Sequence, residues 1–162
     1  MVDQQRFKDL MSAVCAPVTV VTTLTADGRP HGTTVSSFAS LSLDPPLVSL
    51  ALDHGSALLG HVRHSGLIGV NVLSEAQQEL AAAFAGRGPD KFDGLAWVVR
   101  DGLPHLPDSA GWLAGVVEQY VPAGDHDLLI VRVRSASSSP ASPLVYARRT
   151  FGTHSRLAVL AS

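Results

Sequence analysis

The stretch TVSSFASLSLDPPLVSLAL, residues 34–52, constrains the fold more than any other part of the chain. It reads as two β-strands joined at Asp44-Pro45-Pro46, an alternating run rich in serine followed by the almost wholly apolar LVSLAL. Proline lacks the N–H that a ladder needs, so the pair marks the end of the first strand. Side chains alternate between the two faces of a strand. From 34 to 43 the odd positions, Val35, Ser37, Ala39, Leu41 and Leu43, are therefore expected on a core face, and Thr34, Ser36, Phe38, Ser40 and Ser42 on the other. No Lys, Arg, Asp or Glu occurs between 30 and 43. A face that meets only water usually carries some charge. Neutral hydroxyls around one aromatic suit a flat ligand with several hydrogen-bonding groups.

The flanking sequence extends the β pattern. PVTVVTTLT is rich in β-branched residues, and Asp27-Gly28 in ADGRP is a strong hairpin signal. Before it, Phe7, Leu10, Met11 and Val14 form one stripe at a 3.6-residue period, with Asp3 as N-cap, which predicts a short amphipathic helix. SALLGHVRH reads as a second short helix capped by Ser56, and GLIGVNVL as a buried strand. Ser74 and Gln77 form a capping box before a third helix, on which Ala76, Leu80 and Phe84 share a face and which Gly86 ends. GRGPDKFDG is a loop. WLAGVVEQYV and HDLLIVRVRS then flank a turn at PAGD, and PLVYARRTF supplies a last strand. Six or seven strands with few helices predict a mainly β fold, a closed or split antiparallel barrel, in one domain over 1–162. A Rossmann fold is excluded, because helices do not alternate with strands and no GxGxxG follows a strand.

Composition narrows the function. A net charge of −2 supplies no basic field for nucleic acid. No apolar run approaches the ~20 residues of a membrane span, and the N-terminus lacks a signal-peptide pattern. Cys15 is the only cysteine, which excludes an internal disulfide and a Cys-based zinc cage; a cytoplasmic location is expected. With 46% apolar and 16% charged residues, some apolar surface is expected to meet a partner subunit. His61 and His64 read as a solvent-facing pair rather than metal ligands, so no metal is expected. Cys15 reads as a packing residue, and Trp97 and Trp112 as core or subunit surface. Ser56, at a helix N-terminus directly after a buried strand, marks a natural phosphate seat.

Taken in order, APVTVVTT, DGRPHGTTVSSFASLSLDPPLVSLAL, GVNVL, DKFDG, AGDHDLLIVRV and PLVYARR resemble the short-chain flavin reductase family. These are the reductase components of two-component flavin monooxygenases, built on the FMN-binding split barrel. The resemblance runs from Phe7 to Phe151. It implies a homodimeric NAD(P)H:flavin oxidoreductase. Such an enzyme reduces FMN or FAD by hydride transfer from NADH or NADPH and supplies reduced flavin to a separate monooxygenase. The alternative is a split-barrel flavin carrier without turnover. The resemblance places Thr33, Thr34, Val35, Ser36 and Ser37 on the isoalloxazine and ribityl chain, with Ser40 behind them, and Asp53 and Ser56 in the phosphate-side loop. Arg87 and Lys91 are placed to reach a phosphate, His126 beside flavin and nicotinamide, and Tyr146 and Arg148 near the pyridine nucleotide.

The sequence offers no triad and no carboxylate dyad. Hydride transfer between nicotinamide and flavin belongs to the cofactors themselves, so the protein has only to hold the rings in contact. His126 is accordingly expected to orient the nicotinamide rather than to act as an obligatory acid or base.

Overall fold

The computed structural model describes residues 2–88 and 90–154. Asp3 caps α1 (Gln4–Ser12), its carboxylate accepting from the Gln5 and Arg6 amides at 2.7 and 3.1 Å. There follow β1 (Ala16–Pro17), β2 (Thr19–Leu24), β3 (Pro30–Val35), β4 (Ala39–Leu43), β5 (Pro46–Asp53), α2 (Ala57–Ser65) and β6 (Leu67–Val72). The predicted capping box of Ser74 and Gln77 opens a 3₁₀ turn that leads into α3 (Gln78–Ala85). The remaining strands are β7 (Val98–Arg100), β8 (Leu103–His105), β9 (Gly111–Ala123), β10 (His126–Ser138), β11 (Val145–Ala147) and β12 (Thr150–Gly152).

Seven strands form the main antiparallel sheet in the order β3-β2-β6-β9-β10-β5-β4. β3 and β4 stand at its opposite ends, yet only residues 36–38 join them. Six gaps of ~4.8 Å would put the ends of a flat sheet about 29 Å apart. The four steps from Val35 to Ala39 reach about 14 Å at most. The sheet therefore has to curl on itself, as the split-barrel expectation requires. Where its ends meet, the Ser37 hydroxyl donates to the Ala51 carbonyl at 3.2 Å and accepts from the Ala51 amide at 2.9 Å. A side chain thus supplies the bonds of a missing ladder rung.

Val21, Val35, Leu50, Ile68, Val70, Leu129 and Val131 fill the interior together with Leu58, Leu59 and Val62 of α2. Each such buried side chain stabilises the fold by about 1.5–3 kcal/mol. A second cluster packs α3 against the outside through Val20, Leu73, Phe84, Phe92 and Leu106. Helix α3 lies along β3, where the Thr33 and Thr34 hydroxyls donate to the carbonyls of Phe84 and Ala81.

Several expectations are corrected. Residues 30–43 form two strands rather than one continuous one, and the core-facing parity holds only at Val35, which is 6% exposed. Leu41 and Leu43 are 52% and 95% exposed, because β4 is an edge strand that lies outside the interior they were expected to fill. Phe38, placed by parity on the ligand face, instead packs against the core. Cys15 is exposed rather than packed. Trp112, by contrast, is buried as expected, its indole N–H donating to Asp101 at 2.8 Å, and Trp97 packs edge-on to Phe92 against the second cluster. His61 is half-buried against His31, so only His64 of that pair faces solvent.

Candidate functional site

The β2–β3 turn, the end of β5, the start of α2 and the loop after α3 enclose a groove of about 1180 Å³. It brings together five of the residues expected around a flavin: Thr33, Asp53, Ser56, Arg87 and Lys91. Ser56 is the N-cap of α2 by position, yet its hydroxyl makes no capping bond, so both hydroxyl and helix N-terminus remain available to an anion. The Lys91 ammonium donates to the Phe84 and Gly32 carbonyls at 2.9 and 3.3 Å, which leaves one of its three protons for a ligand. Burial lowers its pKa. Thr33 and Thr34 both spend their protons on α3 and can offer a ligand only oxygen lone pairs.

The other expected residues lie outside this groove. Val35 is in the core and can contribute only backbone. Ser36 is exposed, Ser37 closes the seam, and Ser40 is exposed on β4. Among the described residues, no backbone group of Ser36, Ser37 or Phe38 enters a ladder or any other backbone hydrogen bond. Their amides are thus free of backbone partners. His126 pairs in register with Asp53 across β10 and β5, and its Nδ1 lies 2.7 Å from the Asp125 carboxylate, which that bond holds below the usual carboxylate range. Tyr146 packs on Phe151, with ring centroids 5.0 Å apart. Arg148 and Arg149, at φ +50° and +61°, make the β11–β12 turn.

Sequence reasoning missed a support behind the groove. The Asp127 side chain is 2% exposed. It accepts from His54 Nε2 at 2.9 Å and from the Arg63 guanidinium. These bonds, His54's first, hold its carboxyl below the usual range. Arg63 also lies over the Tyr120 ring, 5.8 Å from its centre. One carboxylate on β10 thereby anchors His54, next to Asp53 in the β5–α2 loop, and Arg63 of α2, the helix that Ser56 precedes. The available signal was a lone acid in the otherwise apolar row Asp127, Leu129, Val131.

A curled antiparallel sheet with hydroxyl and cationic groups and a helix N-terminus around one groove defines a small protein of the split-barrel class. The family profile described as flavin reductase like domain matches residues 11–155, and the chain belongs to that family. An NADH:riboflavin 5'-phosphate oxidoreductase of Streptomyces pristinaespiralis is 39% identical over 156 residues, covering 94% of this chain and 89% of that one. The crystal structure of nitrilotriacetate monooxygenase component B from Mycobacterium thermoresistibile superposes with a TM-score of 0.91 at 32% identity, covering 99% of this chain and 93% of that one. A Rhizobium meliloti relative, 37% identical over 152 residues, is longer; the chain spans 49% of its length. Among the described residues no helix is long and apolar enough to cross a membrane.

Proposed function

We propose that the chain is an NADH-dependent flavin reductase that acts on FMN or FAD and hands reduced flavin to a separate monooxygenase component. The observation that carries this is the groove itself: in a member of this family, it joins Ser56, the start of α2, Arg87 and Lys91 at one place suited to a phosphate. The donor set fits a phosphorylated flavin, with cationic and hydroxyl groups in the groove and neutral amides at 36–38 for a ring's polar edge. When bound, flavin supplies the hydride-accepting chemistry. The chain's residues hold, orient and shield. Free amides offset charge on a reduced ring without a protein acid. His126, beside Asp53 at the groove's rim, orients the nicotinamide, with Tyr146 and Arg148 as further contacts to the pyridine nucleotide.

The same proposal includes a homodimer. Phe7, Leu10 and Met11 on α1 are 56%, 66% and 47% exposed, and Leu41 and Leu43 on β4 more than half exposed. Apolar side chains at this density are suited to burial against a second copy.

The test is consumption of NADH by purified protein with and without added FMN or FAD. Flavin-dependent consumption is expected. Ser56→Trp is expected to weaken flavin binding about tenfold or more, equivalent to at least ~1.4 kcal/mol. His126→Ala is expected to raise the KM for NADH with flavin affinity unchanged. Tight flavin binding with no consumption of NADH or NADPH would instead leave a carrier.

A further inference from the structure

Inside the groove, His31 of β3 and His61 of α2 face each other, ring centroids 4.8 Å apart and planes at 60°. His31 is 9% exposed. Among the described residues neither ring makes a hydrogen bond, yet no buried side-chain nitrogen or oxygen lacks a partner. Their ring nitrogens must therefore open on the groove. Burial first, then His61 and Lys91, keeps His31 below the ordinary histidine range. His31 is thus predominantly neutral near pH 7.

The charged groups around the pair come from every wall. Asp27 and Arg29, on the β2–β3 turn, pair with each other at 2.7 Å. Asp53 ends β5, and the loop after α3 contributes Arg87, Asp90, Lys91 and Asp93. With Asp27 and Arg29 neutralised, three acids stand against two bases. A phosphate with a charge of about −1.5 to −2 adds further negative charge beside two imidazoles whose nitrogens are free of protein partners. Protonation of either ring then supplies both a countercharge and a charge-assisted donor.

We propose that the His31–His61 pair takes up a proton when the phosphate of a flavin nucleotide enters the groove, making this end of the site a reader of phosphorylated over unphosphorylated flavin. The inference rests on the flavin reading above. The sign follows from linkage. A group whose pKa is higher in the complex than in the free protein strengthens binding as pH falls, up to tenfold per pH unit for one full proton, and the gain levels off below the free pKa.

The experiment is calorimetric titration of FMN and of riboflavin near pH 7.5, in two buffers of different ionisation enthalpy. Expected are net proton uptake with FMN, none with riboflavin, and FMN affinity that rises towards pH 6.5. The phosphate's own titration is common to the parent and to the histidine variants, so the difference between them isolates the imidazoles. In His61→Gln, and in His31→Gln, uptake should fall and the pH dependence of FMN affinity flatten, with riboflavin affinity kept. His61, the less buried of the two, provides the variant that least disturbs the core. FMN binding without uptake, or uptake unchanged in both variants, overturns the proposal and leaves the flavin reading standing. Failure of both flavins to bind overturns the flavin reading and this proposal with it.

Discussion

β3 and β4 are consecutive in the chain and were drawn from one serine- and threonine-rich run, yet they do opposite things. β3 is inserted between the core and α3, with Val35 buried and its threonines tied to helix carbonyls. Among the described residues β4 pairs only with β5, and it turns Leu41 and Leu43 outward. Composition does not separate them. What does is position in the sheet, because β3 has a helix along its side and, among the described residues, β4 has none. The same hydroxyl-rich sequence therefore lines a groove in one strand and leaves two leucines exposed in the next.

The sharpest way to break this contrast is one substitution made twice. Val35→Asp should destabilise the fold by about 2–7 kcal/mol, the cost of burying an unpartnered polar group. Leu43→Asp should change the monomer's stability by less than about 0.5 kcal/mol, as an exposed site does. If β4 is the subunit surface, Leu43→Asp should nevertheless shift dimer to monomer in size-exclusion chromatography with light scattering. Urea unfolding supplies the first comparison; equal losses at both sites would erase it.

Gly32→Ala comes next. A Cβ there would lie 3.0 Å from the Val21 carbonyl oxygen and 3.2 Å from Phe84, so β3 or α3 must give way, at about 1–3 kcal/mol. Thr34→Val removes only the 2.7 Å bond to Ala81 and should cost about 1 kcal/mol. Ser40→Ala, on exposed β4, should be near neutral in stability, and its melting curve is the baseline for the series.

The mainly β class, the capping box, the Asp3 cap and the position of Ser56 ahead of α2 were legible because each is written in neighbouring residues. Ser56, Arg87 and Lys91, grouped by the resemblance, do line one groove. The fate of Leu41 and Leu43 was not legible, since period-two alternation states which residues share a face and not which face is covered. His31 and His61, thirty positions apart, meet only through the packing of α2 on the curled sheet. Asp127 with His54 and Arg63 is hidden for the same reason: its partners are 73 and 64 residues away.

The seam at Ser37 has a consequence in the time domain. Because a hydroxyl supplies the rung to Ala51, the amides of Ser36, Ser37 and Phe38 are locked into no ladder, between strands whose amides are. In hydrogen–deuterium exchange these three should label within the first time point while β2 and β5 stay protected. Their slowing on addition of a flavin would count, amide by amide, how many of them the ring engages.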